Sequence, residues 1–94
     1  MNKGFRFDLQ VHSCFSWDSR SKVKDIINRS RKIGLSGIAI TDHETTRGGL
    51  EGYSITRKFD DFTVIPSIEI ATQFGDIIAM FVKEEVKVKD FFEI

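Results

Sequence analysis

Asp8, Gln10 and His12 stand two apart in the run Phe7-Asp8-Leu9-Gln10-Val11-His12. A strand there puts these three polar groups on one face and Phe7, Leu9 and Val11 on the other. Polar groups clustered at the end of an apolar strand are costly to bury unless something binds them, and a divalent metal explains them well. His43 follows a second apolar run, Gly37-Ile38-Ala39-Ile40-Thr41, and Glu69 is flanked by Ile68 and Ile70 so that its carboxylate faces away from both. Asp18, in a Ser-rich stretch behind His12, can return to the same edge. Imidazole plus carboxylate is a ligand set for zinc, manganese or iron. Such an ion brings the pKa of its water toward neutral, giving a hydroxide nucleophile, and two ions about 3.5–4 Å apart clamp the attacking and leaving oxygens of a phosphoryl transfer. Glu69, with two oxygens, is suited to bridging them. Asp42, beside His43, serves equally well to orient a neighbour or to bind. Asp8 suits the holding of a strand end, and Cys14 reads as an incidental small residue. Arg20 and Arg47 lie in the loops at this edge and are candidate phosphate contacts.

The elements that must carry these groups follow from periodicity. Phe5 to Val11 alternates and reads as a strand, and residues 12–21 as a loop. From Lys22 to Ile33, Val23, Ile26, Ile27 and Ile33 fall on one helical stripe, with Ser21 as cap and Gly34 as the left-handed stop. Gly37 to Thr41 then reads as a strand covered on both faces. Strand, helix, strand with short connections is a parallel βαβ unit. After a loop over Asp42–Gly49, a helix through Leu50, Tyr53 and Phe59 is expected, then short strands over Phe62–Ile65 and Ile68–Thr72 broken by Pro66, and another over Asp76–Lys83. In parallel α/β folds, sites lie at the carboxyl ends of the strands, which is where His12, His43 and Glu69 fall.

At 94 residues the chain is one small domain. Its 14 basic and 14 acidic residues cancel, so no strong field favours nucleic acid or a membrane. Nine phenylalanines and a 40% hydrophobic content point to a globular core. The lone Cys14 fits a reducing compartment, no apolar run approaches the roughly 20 residues of a bilayer span, and no signal peptide is evident. The cytoplasm is the expected location. Asp90-Phe91-Phe92-Glu93 looks like the start of a helix that Ile94 cuts short, so a truncated fold, or one completed by a partner or by self-association, is expected.

Several of these stretches together resemble a known family. Asp8-Leu9-Gln10-Val11-His12-Ser13, with Ser16 and Asp18 behind it, is similar to the first motif of the PHP (polymerase and histidinol phosphatase) family. Ile40-Thr41-Asp42-His43-Glu44 resembles its second motif, and Val64 to Ile70 the segment with its bridging glutamate. Lys32 to Ala39 and Gly75 to Ile78 fit the passages between and after.

The resemblance implies an α/β fold, the N-terminal part of a distorted seven-stranded TIM-like (β/α) barrel with parallel strands, here residues 1–94 as its first half. It implies hydrolysis of phosphate monoesters, nucleotides or small phosphorylated metabolites, with one to three divalent ions (Mn, Zn or Fe). His12, Asp18, His43 and Glu69 match catalytic and metal-ligating positions, with Gln10, a weaker neutral oxygen ligand for the metal, where the family has the first histidine of a pair and Ile78 where many members carry another. A later histidine and a final Asp-x-His have no counterpart, since His12 and His43 are the chain's two histidines. The competing expectation is a non-catalytic PHP-like module that binds metal or a partner.

Overall fold

The breaks between apolar runs set a βαβαββ order in the computed structural model, which describes residues 4–85. Strands β1 (Phe7–Val11), β2 (Gly37–Ile40), β3 (Thr63–Thr72) and β4 (Gly75–Met80) form one sheet in that order. Helices α1 (Val23–Lys32) and α2 (Arg47–Thr56) are the two crossovers between the parallel strands β1, β2 and β3. The expected parallel arrangement stops there. β4 runs antiparallel to β3, because Thr72 and Gly75 pair across a tight turn and a parallel return needs a crossover of about a dozen residues. Among the described residues the sheet has four strands. The helix start proposed at Asp90 lies outside them.

α1 buries Val23, Ile27 and Ser30 along one stripe. Its N-cap is Lys22 without a side-chain bond rather than Ser21, whose carbonyl instead accepts the Cys14 N–H at 2.7 Å. Gly34 stops the chain at φ 92°, as a left-handed residue should. Ile33, placed on the buried stripe by its spacing, is exposed just past the helix end.

α2 begins earlier than its large apolar residues suggest, and its buried face is Gly48, Gly49, Gly52 and Thr56. Tyr53 is instead 49% exposed. A Cβ on Gly49 would sit 2.7 Å from Pro66 Cα, and one on Gly52 2.9 Å from a Val64 methyl. The helix therefore lies against β3 backbone to near contact, a packing that side-chain bulk would prevent.

β3 is one strand, not two. Pro66 ends its regular ladder with β2 opposite Ile40, and pairing with β4 starts at Ser67, so the missing N–H falls at the junction of two ladders. β1 departs from strict alternation. Its register with β2 slips by one residue between Asp8 and Val11, a bulge that leaves Phe7 and Leu9 largely exposed while Val11 packs on the core. That core joins Val23 and Ile27 of α1 to Ile38, Ile40, Phe62 and Val64. Beyond β4 the chain returns over α2: the Val82 N–H bonds the Pro66 carbonyl, and Glu85 Oε1 accepts the Thr46 N–H at 3.0 Å, occupying the helix N-terminus.

Candidate metal centre

Val64 faces the helices, so Glu69, five places along β3, faces the opposite side of the sheet. Its backbone is held on both sides: the Glu69 N–H bonds the Asp42 carbonyl and its own carbonyl accepts the Glu44 N–H, each at 2.9 Å. These bonds extend the β2 edge as a bridge between His43 and Glu69 and set the two side chains at one height. On the other side of β2, Asp42 is wholly buried and accepts from the Ser13 N–H and, at 2.6 Å, from Ser13 Oγ. Asp42 thus ties the chain after β1 to the end of β2, the orienting role open to it from sequence, and His12 is carried in beside His43.

Four side chains close a ring. His12 Nδ1 lies 2.8 Å from Asp18 Oδ2, and the same oxygen is 3.0 Å from His43 Nε2. His12 Nε2 is 3.1 Å from Glu69 Oε1, and His43 Nδ1 3.5 Å from Glu69 Oε2. Imidazole and carboxylate alternate around it. The two imidazoles meet edge to face with centroids 4.6 Å apart. Burial disfavours the charged form of His12, but hydrogen bonds and charge from Asp18 and Glu69 outweigh it and raise its pKa above 6.5. Asp18 is held down to about 2, first by the Ser16 hydroxyl and then, against its partial desolvation, by His12 and His43.

This donor set fits a divalent cation. One ligand atom each from His12, His43 and Glu69 lie within 4.8 Å of one another. Glu69 is only 3% exposed, yet among the described residues no lysine or arginine pairs with it or with Asp18. Two carboxylates clustered without a fixed cation are what a bound ion would relieve.

The other expected residues fall around the ring. Gln10 turns its amide N–H to Glu69 Oε1 at 3.2 Å, holding the carboxylate. Asp8 accepts the Gln10 N–H at 3.1 Å and remains outside the ring. Arg20 is exposed on the loop, and the Arg47 guanidinium lies 4.9 Å above the Phe15 ring. Ile78 is the cross-strand partner of Glu69 and presents a branched alkyl group beside it. Cys14 is exposed and free. Two residues were given no role from sequence. Ser16 Oγ accepts the His43 N–H at 3.1 Å and donates to Asp18 Oδ1 at 2.7 Å. Trp17 stacks on the His43 ring at 5.0 Å. The Ser16-Trp17-Asp18 order was visible, but a loop carries no periodicity that would say which way each side chain turns.

The chain belongs to the PHP domain family, which matches residues 8–92. An uncharacterised protein of Methanocaldococcus jannaschii is 36% identical over 89 residues, covering 84% of this chain and 52% of that protein. A "Probable histidinol-phosphatase" of Thermotoga maritima is 38% identical over 61 residues, 56% of this chain and 26% of that one. The crystal structure of a "putative metal-dependent phosphoesterase" from Bifidobacterium adolescentis is similar with a TM-score of 0.65 and 26% identity, over 82% of this chain and 27% of the other. The chain therefore spans 52% and 26% of the lengths of these two curated relatives. Among the described residues, no helix is long and apolar enough to cross a membrane.

Proposed function

We propose that this chain supplies the first ligands of a metal-dependent phosphoesterase acting on phosphate monoesters of small metabolites or nucleotides. The observation that carries the reading is the closed ring of His12, Asp18, His43 and Glu69. On this reading these four residues would hold manganese, zinc or iron, with residues 1–94 as the leading part of a PHP barrel. A divalent ion there would supply Lewis acidity, drawing charge from phosphate oxygens and lowering the pKa of water toward neutral.

The protein's own groups prepare the place. Glu69, clamped through its backbone by Asp42 and Glu44, offers both oxygens at a fixed height. Gln10 steadies one of them, and Asp18 keeps both imidazole rings turned inward. The Ser16 hydroxyl holds Asp18 as its anion, ready to ligate. Arg20, exposed on the adjoining loop, is within the class of groups that steady a phosphate dianion. The single cysteine fits a reducing compartment, and the cytoplasm is the location this reading proposes.

Elemental analysis of full-length protein purified without chelator, together with hydrolysis of p-nitrophenyl phosphate, tests this. Stoichiometric metal and turnover, both lost in His43→Ala and Glu69→Ala, are the expected results. Metal without turnover at any loading points to the non-catalytic module, and neither metal nor turnover removes the reading.

A further inference from the structure

Trp17 adjoins the ring yet is 83% exposed. One flat face of the indole lies on His43, with planes 25° apart. With so little of the side chain covered, the opposite face is bare. A large aromatic surface held in water next to a polar centre is informative in a way that a scattered exposed leucine is not.

The backbone that carries the indole is also held in place. Its neighbours on both sides are anchored, Ser16 through the His43 N–H and Asp18 through both imidazoles. The backbone turns tightly around it, with Ser16 N–H bonded to the Ser13 carbonyl at 2.9 Å and Ser19 N–H to the Ser16 carbonyl at 3.2 Å. With the backbone on both sides anchored and one face resting on His43, only the side chain's own torsions remain to be ordered when something stacks on it.

We infer that Trp17 is a specificity-determining residue, a shelf whose bare face stacks a flat aromatic group carried by the phosphate ester while the phosphate meets the ring below. The inference rests on the phosphoesterase reading and narrows its substrate to esters with planar aromatic moieties, nucleoside monophosphates among them, over aliphatic ones. Stacking is tolerant of ring identity, because every base has a π-face. The shelf therefore separates aromatic from aliphatic esters and distinguishes poorly among bases.

The test uses full-length protein loaded with manganese and two esters, a purine nucleoside monophosphate and glycerol phosphate. The KM ratio favouring the nucleotide is expected to fall about tenfold in Trp17→Ala and to be largely kept in Trp17→Phe, the scale of one base–aromatic stack. A ratio unchanged in Trp17→Ala, with both KM values shifted together, overturns the inference and leaves Trp17 as a prop for His43. A second readout needs no turnover. Emission from Trp17, taken as the difference between native protein and Trp17→Phe, should be quenched by the nucleotide and not by glycerol phosphate. Equal quenching, or none, overturns the shelf. Selective quenching in a protein that hydrolyses neither ester would sink the phosphoesterase reading while keeping the shelf.

Discussion

One carboxylate oxygen of Asp18 serves two histidines, lying 2.8 Å from Nδ1 of His12 and 3.0 Å from Nε2 of His43. The two rings are therefore oriented by a residue on the loop between β1 and α1. Asp18→Asn keeps the shape but loses the charge, and it puts a donor where one acceptor served two rings. Manganese or zinc affinity, measured by chelator competition, should fall by more than about 10–100-fold, the loss typical of removing a group that merely orients ligands, because Asp18 is itself a proposed ligand. Unchanged affinity would mean that the loop is a bystander.

The ion-free protein should be most heat-stable between pH 3.8 and 6.5. His12 has its pKa raised on folding, so its contribution is complete below the unfolded value of 6.5 and is lost as pH rises through the higher folded value. Asp18 has its pKa lowered from 3.8 to about 2, so its contribution is complete above 3.8 and is lost as pH falls through about 2. Thermal midpoints in chelator across this range test the shape, and His12→Gln should flatten the alkaline limb. Cation affinity should move the other way, strengthening as pH rises and His12 gives up its proton.

Asp42→Ala should unfold the rim without touching a ring member. It strips the acceptor from two donors of Ser13, both buried. Each buried donor left unsatisfied costs about 1–3 kcal/mol, so a clear drop in the denaturant midpoint is expected. A midpoint equal to that of the native protein would mean that Ser13 finds other partners.

Gly49→Ala should destabilise although alanine is the better helix former. The helix gains about 1 kcal/mol in propensity, but the new methyl meets Pro66 Cα and the Ser67 nitrogen, backbone atoms that cannot swing aside. Overpacking of this kind typically costs about 1–3 kcal/mol, and contact with two backbone atoms sets it toward the upper part of that range, a net loss of up to about 2 kcal/mol. Tyr53→Ala, on the half-exposed side of α2, should shift stability by no more than about 0.5 kcal/mol. Chemical denaturation of both variants decides which face carries the helix.

Ile78→His should strengthen the centre. Ile78 pairs across the sheet with Glu69, so an imidazole there enters on the ring's own face. Tighter cation binding or a higher metal-to-protein ratio by elemental analysis is expected. No change in either would show that a ligand from β4 cannot reach.

The sequence was most legible where chemistry and periodicity coincide. The nearly all-apolar run Gly37–Thr41 marked β2 as covered on both faces, and Glu69 between two isoleucines marked a carboxylate turned away from both. Both needed nothing beyond side-chain alternation. It was least legible where backbone does the packing. The glycines of α2 read as a weak helix because they add no apolar bulk, whereas close approach is their contribution. Pro66 read as a break because proline has no N–H to give a ladder; nothing local says that two ladders change over there. The bulge in β1 likewise depends on a partner strand 30 residues away, which alternation within Phe5–Val11 does not reveal.

Helix α2 is capped from far downstream, since the carboxylate at its N-terminus belongs to a residue 39 positions later. Loop closure over such a span must precede the reward, which slows assembly relative to locally sealed helices. During synthesis, the segment from Arg47 to Thr56 leaves the ribosome well before Glu85 does. Until Thr72 has followed, its glycine face has no β3 to rest against, and until Glu85 has followed, its N-terminus has no carboxylate.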